Sequence, residues 1–331
     1  MRSISIPAQE RQALRERYAS VGSPYTQPQS SLIALHRAFA SLPDALLGEL
    51  FRFGRDPGSP GVLLIDGLPI DEALPPTPTT GTVPTERATL DAEKSLLGLA
   101  HQIGTPVGYR TEKDGQLVHH VVPMAGGEYT QSNRGSKVML TFHNDSMYDT
   151  SLIFNSHNPD FILLLCLRAD AQGAAETMYV DARDLHTRLD DATLAVLYEA
   201  RFRMAAPSNY TLLIHGALAD EKVWSQPVPV LSGPRAYPEI YLAANGVQPL
   251  DPQASAALSE LIAACEETGR SNAVRLVPGQ AMLINNRKGV HARTPFQAHY
   301  DGHDRWLLRA NIRTSLWNIR DFATEQALVF A

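Results

Sequence analysis

The sequence predicts a mainly β protein with a helical layer (α+β): a cupin-like jelly roll, or double-stranded β-helix, with N-terminal helices and a helical insert near 252–268. Three observations lead there. Helical spacing of apolar residues is concentrated in the first 60 positions. Beyond them, short apolar runs separated by glycine, proline and asparagine dominate. The few later stretches that read as helices carry recognisable ends.

Residues 8–20 and 31–53 have helical periodicity, with Leu32, Leu35, Ala38, Leu42, Leu46 and Leu50 recurring at three- and four-residue steps. Gly61-Val-Leu-Leu-Ile-Asp-Gly-Leu then reads as a buried strand bounded by glycines. The Pro/Thr-rich segment 74–88 is a loop and not a linker, because both sides look like parts of one unit. The chain is therefore expected to be a single domain over 1–331, with a helical layer over 1–60 and a jelly-roll core with inserts over 61–331. A helix over 90–103 ends at Gly104. Strands are expected at Leu117–Pro123, Val138–Phe142, Phe161–Leu167, Thr177–Val180, Phe202–Ala205 and Lys222–Leu231. More follow at Ile240–Ala243, Ala273–Val277, Gln280–Asn285 and Arg305–Arg313. Helices are expected at about 181–200 and 252–268. The second has Asp251 as N-cap, Pro252 at its first position and Gly269 just past its end. There is no internal repeat.

Composition narrows the function. The 331 residues are 44% hydrophobic and 19% charged, ordinary globular usage that argues against disorder. A net charge of −6 offers no basic footprint for nucleic acid or an anionic membrane surface. Cys166 and Cys265, the two cysteines, are too few for a disulfide framework and read as core thiols of a reducing compartment. Charges stand where a signal peptide would need apolar residues, and no uncharged run reaches the roughly 20 residues of a membrane span. A cytoplasmic protein acting on a small molecule is expected; nothing in the chain specifies an oligomeric state.

The chemistry is concentrated at His143-Asn-Asp145 and, far downstream, His291. Two imidazoles and a carboxylate on one face of a metal leave half the coordination sphere exchangeable, as a redox-active iron site requires. Residues 143 and 145 are two apart, so an extended strand points both the same way. A bare His-x-Asp is common, and His299-Tyr-Asp301 is a second match among 11 histidines, but it lacks a distant third ligand. Fourteen residues after His291 comes Arg305-Trp-Leu-Leu-Arg309-Ala-Asn-Ile-Arg313. Strand alternation puts Arg305, Leu307, Arg309 and Asn311 on one face and Trp306, Leu308, Ala310 and Ile312 on the other. A solvated edge is the bland account of such arginines. Beside a histidine strand, a guanidinium fork matched to a dicarboxylic acid gains weight.

These motifs resemble the clavaminate-synthase-like branch of the Fe(II)/2-oxoglutarate-dependent oxygenases, which holds asparagine oxygenase and arginine and lysine hydroxylases, within the wider taurine dioxygenase superfamily. The resemblance runs from Gly61 to Arg313 through Leu117-Val-His-His-Val-Val-Pro123, Phe142-His-Asn-Asp145, Pro159-Asp-Phe-Ile-Leu-Leu-Leu-Cys-Leu-Arg168, Asn285-Asn-Arg-Lys-Gly-Val-His-Ala-Arg-Thr-Pro-Phe296 and Tyr300-Asp-Gly-His-Asp-Arg-Trp-Leu-Leu-Arg309. It implies iron(II), 2-oxoglutarate as cosubstrate, and O₂. It implies His143, Asp145 and His291 as iron ligands, and Arg305 with the Thr177 hydroxyl on the distal carboxylate of 2-oxoglutarate. Arg309 resembles a second arginine aimed at the same site. Much of this branch has glutamate where Asp145 stands.

Two departures bear on substrate. His119 occupies a position usually held by a substrate-binding glutamine, and the neutral Leu242-Ala-Ala-Asn245 replaces expected aspartates. A buried charge without a partner is costly. The resemblance therefore implies oxidation, most simply hydroxylation, of a cyclic dipeptide or similar neutral amide met by His119 and Asn245. The alternative is β- or γ-hydroxylation of a free amino acid such as arginine, an enduracididine-type residue or asparagine, held by Gln131, Asn133 or Arg309. A non-catalytic cupin-like binding protein would show a broken triad or lack Arg305, and neither is the case. A zinc or manganese hydrolase or isomerase is disfavoured by that same arginine.

Overall fold

The computed structural model describes residues 1–80, 82–84, 89–132, 135–147, 157–207 and 222–331. Helices α1 (Ala8–Tyr18), α2 (Pro28–Phe39) and α3 (Asp44–Arg55) bury stripes that include Leu14, Leu35, Phe39, Leu50 and Phe53. The periodicity over 31–53 is divided at Pro43, which lacks the amide hydrogen to continue one helix and stands at the N-cap position of the next, its carbonyl accepting from the Leu47 amide. With α4 (Asp91–Ile103) these helices cover one face of a large sheet. Leu96, Leu97 and Ala100 of α4 share a core with Leu163, Leu165, Trp306, Leu308 and Ile312 of its central strands.

The strands in chain order are β1 (Arg2–Ser5), β2 (Val62–Asp66), β3 (Thr105–Tyr109), β4 (His119–Val121), β5 (Leu140–His143), β6 (Phe161–Arg168), β7 (Thr177–Asp181), β8 (Phe202–Met204), β9 (Leu231–Ser232), β10 (Glu239–Ile240), β11 (Val247–Pro249), β12 (Ala281–Asn285), β13 (Gly289–Arg293), β14 (Trp306–Arg313) and β15 (Val329–Phe330). The large sheet runs β1-β2-β12-β6-β14-β3-β15, with β4 also on β14, so both ends of the chain enter one sheet. A smaller sheet, β5-β13-β7, supplies the second layer of the jelly roll. β8 with β11 and β9 with β10 form two-stranded ribbons. The uncovered face of the large sheet and the smaller sheet together line a cavity.

Several expectations shift. The helix expected over 181–200 is two short ones, α5 (Ala182–Leu185) and α6 (Asp191–Leu197). The break falls where the Asp190 carboxylate accepts from the Thr193 amide and starts a new helix. Lys222–Leu231 and Ala273–Val277 contribute mainly isolated bridges, through Trp224, Val228 and Val274. Of Ile240–Ala243 only Ile240 is in a strand. Helix α7 (Pro252–Ser271) does begin on the Asp251 cap, but it passes through Gly269. There the glycine makes room for the Phe142 ring, whose Cζ would lie 2.3 Å from an added Cβ.

Another glycine pair ties fold to site. Tyr179 stands directly opposite His291 on β7, and its hydroxyl wedges between Gly61 and Gly289. A Cβ at Gly289 would lie 2.3 Å from that hydroxyl and from the Val180 carbonyl. Gly289→Ala is expected to cost about 1–3 kcal/mol through overpacking at the start of the strand that carries His291. A thermal melt checks this: a lowered Tm is expected, and an unchanged Tm contradicts the wedge.

Candidate metal centre

His143 ends β5, and His291 faces it across the ladder on β13 as its register partner. One bulge lies between His291 and Arg293, where the two strands change register beside the site. Asp145 lies just beyond β5. Its Oδ1 is 3.6 Å from His143 Nε2 and 3.9 Å from His291 Nε2. The imidazole centroids are 4.3 Å apart, and the three ligand atoms lie within 4.8 Å of one another.

The protonation pattern suits a cation. His143 Nδ1 is 2.7 Å from the Thr141 carbonyl, which can only accept, so Nδ1 carries a proton and Nε2 is the nitrogen turned toward Asp145. Burial, with His143 alongside, pushes His291 down to about 3 and keeps it neutral. Burial alone would raise the Asp145 carboxyl. The Arg309 guanidinium and the two histidines outweigh it and hold Asp145 well below the usual carboxylate range. Two imidazoles and one carboxylate around a common point fit a divalent metal.

The cavity at this point holds ≈ 600 Å³, and Thr177, Arg293, Arg305, Leu307 and Arg309 share its wall with the three ligands. The alternation read from the sequence holds, because Trp306, Leu308, Ala310 and Ile312 face the helical core. Arg305 is 8% exposed and, among the described residues, has no carboxylate within ion-pairing distance. Burial lowers its guanidinium, with only Cys166 and Asp170 pulling the other way. A buried, uncompensated guanidinium beside a metal site calls for an anionic ligand. Thr177 opens β7 opposite Arg293 and lines the same cavity. Arg293 donates to the Ser136, Val138 and Thr294 carbonyls and stacks over Phe296, which Arg305 also approaches.

Arg309 departs from expectation. It donates to Asp145 Oδ2 at 2.8 Å, pairs with Glu112 and reaches His119 Nδ1 at 2.8 Å. It is fixed between two carboxylates and is not aimed freely at a cosubstrate. His119 departs too. A guanidinium can only donate, so Nδ1 accepts from Arg309 and the Nε2 hydrogen goes to the Gln116 carbonyl at 2.9 Å. Burial lowers His119 to about 4, so it is neutral. It lies behind the wall with both nitrogens engaged and is no substrate ligand in this arrangement. Gln131 lines the cavity, but its carboxamide bridges the Met139 carbonyl and the Thr141 amide. Asn245 also lines it, donating to the Ala206 carbonyl. Asn133 lies outside the described residues.

Sequence pattern does not single out Glu112, because Thr111-Glu-Lys-Asp-Gly115 looks like any solvated turn. Lys113, Asp114 and Gly115 all have positive φ, at 50°, 54° and 77°. The chain therefore reverses immediately after Glu112 and leaves that carboxylate on the cavity wall, joined to Arg309 and Asn311.

The family described as taurine catabolism dioxygenase TauD, TfdA matches residues 61–311. The L-asparagine oxygenase of Streptomyces coelicolor is 38% identical over 284 residues, covering 86% of this chain and 80% of that protein. The enduracididine beta-hydroxylase of Streptomyces hygroscopicus is 31% identical over 329 residues, covering 93% and 91%. A crystal structure of asparagine oxygenase with Fe(II), 2S,3S-3-hydroxyasparagine and succinate superposes with a TM-score of 0.86 at 33% identity, covering 100% of this chain and 99% of that one. Among the described residues, no helix is long and apolar enough to cross a membrane.

Proposed function

The chain belongs to the TauD, TfdA dioxygenase family and is an iron(II)- and 2-oxoglutarate-dependent dioxygenase, and on that premise we propose that it hydroxylates the β- or γ-carbon of a free α-amino acid. His143, Asp145 and His291 would hold the iron. Iron(II) with 2-oxoglutarate and O₂ supplies oxidation of a substrate C–H bond, coupled to conversion of 2-oxoglutarate to succinate and CO₂. Arg305 neutralises the distal carboxylate of the cosubstrate, with the Thr177 hydroxyl beside it.

The observation that carries the substrate reading is the Glu112–Arg309 pair on the cavity wall next to Asp145. A zwitterion offers both complementary charges, a carboxylate for Arg309 and an ammonium for Glu112. A cyclic dipeptide offers neither, and would leave the pair as it is. The neutral stretch ending at Ala244 and Asn245 favours a cyclic dipeptide only where no other segment supplies the charges. Glu112 and Arg309 supply them, and the stretch is left to face the side chain. The asparagine and enduracididine relatives favour the free amino acid as well.

The test is a side-by-side assay of free amino acids and cyclic dipeptides, reading succinate and hydroxylated product. Turnover of a free amino acid is expected; turnover confined to cyclic dipeptides overturns the reading. Glu112→Gln, which removes one charge at constant shape, should raise the KM for the amino acid at least about tenfold and leave that for 2-oxoglutarate near wild type. Equal changes in both contradict the assignment.

A further inference from the structure

Between the two adjacent ligands and the hairpin joining β12 to β13 lies a pair of asparagines with no part in the reading above. Asn286 is 3% exposed and Asn144 1%. The Asn286 carboxamide accepts from the Asp145 amide at 3.0 Å and donates to the Asp145 carbonyl at 2.8 Å, with its second hydrogen on the Pro159 carbonyl at 3.0 Å. Its orientation is forced, because a backbone amide can only donate and a carbonyl can only accept. Residue 145 lies past the end of β5, so no strand pairs with it; the carboxamide makes the two bonds that a neighbouring strand would. Asn144 holds the residue between the ligands. Its Nδ2 donates to the Asn286 and Gly289 carbonyls, and its Oδ1 and amide pair with Leu242.

We propose that Asn286 is a positioning residue for the metal, clamping the main chain of Asp145 so that Oδ1 meets the two Nε2 atoms. His143 is fixed by its ladder with β13, Asn144 by Leu242 and the hairpin, and Asp145 by Asn286. Each of three consecutive residues is thus held by its own contacts, with Asn286 serving Asn144 through its carbonyl and Asp145 through its carboxamide. Arg309 restrains only the far carboxylate oxygen, and the main chain that carries it is Asn286's to hold. The inference rests on the triad being the iron site, not on which substrate it serves.

The test is metal affinity of the apoprotein, titrated with Fe(II) anaerobically and with Co(II), whose visible spectrum reports ligand geometry. Asn286→Ala should weaken binding about 10- to 100-fold, the range for loss of a partner that orients a ligand. Asn286→Asp keeps the shape and the acceptor for the Asp145 amide but turns an anion toward two carbonyls, and should weaken it at least as much. The discriminating step repeats Asn286→Ala in an Asp145→Gly chain. With no carboxylate to position, it should cause less than a twofold further loss and no change in the Co(II) spectrum. Should Asn286→Ala not fold, Asn286→Ser removes the same pair of bonds with less lost volume and is read identically. Wild-type affinity in the Asn286 variants overturns the proposal. So does an equal loss with and without Asp145, which would make Asn286 merely structural.

Discussion

Replacing His143, Asp145 or His291 with alanine brings turnover to the assay floor while the fold persists. Each side chain faces the cavity and stands outside the apolar clusters, so its removal takes a metal ligand and little packing. Three protein ligands are the minimum that holds a divalent ion while leaving positions for a bidentate cosubstrate and O₂. Losing one should weaken iron binding by at least about 100-fold, beyond the usual cost of losing an outer partner. Asp145→Ala also leaves Arg309 with Glu112 as its remaining carboxylate, so Asp145→Asn is the companion that keeps shape and hydrogen bonding. Iron titrations, circular dichroism and turnover together check this. Near-normal rates in all three alanine variants would remove the metal site from the account.

Arg305→Ala should raise the KM for 2-oxoglutarate about 30- to 900-fold, which is loss of a charge-assisted bidentate contact at about 2–4 kcal/mol. Iron affinity without cosubstrate should stay near wild type, because Arg305 touches none of the three ligands among the described residues. Arg309 is the control with the opposite signature. It pairs with Asp145 and Glu112, so Arg309→Ala should act on amino-acid KM and on iron affinity more than on 2-oxoglutarate KM. A larger 2-oxoglutarate effect at Arg309 than at Arg305 would exchange their roles.

The parts of this site that were legible are those where residue type and period suffice. His143, Asp145 and His291 declare themselves as ligand types at strand spacing, and alternation along 305–313 assigns the inward face without reference to any partner. What alternation does not give is the partner across the cavity. Arg309 reads as a free guanidinium until Glu112 is brought beside it by a turn whose Asp114-Gly115 signals a reversal but not the partner it delivers. His119 has the right position for a substrate ligand, yet the same guanidinium engages one of its nitrogens and a backbone carbonyl the other. In the fold, the helix over 181–200 is divided by Asp190, a capping residue that sequence periodicity passes over. β3, directly after Gly104, was hidden by its Thr105-Pro106 start. Asn286 lies within the motif over residues 285–296, but its role depends on the main chain of a residue 141 positions away.

The proposed function couples 2-oxoglutarate turnover at this site to oxygenation of a free amino acid. The direct measurement is a reaction of the iron-loaded enzyme with 2-oxoglutarate, a mixture of free amino acids and isotopically labelled O₂, followed by mass spectrometry of both products. One labelled oxygen is expected in succinate and one in a hydroxylated amino acid, formed in equal amounts and abolished without iron or 2-oxoglutarate. Hydroxylated product without labelled oxygen, or product formed without 2-oxoglutarate, would contradict it.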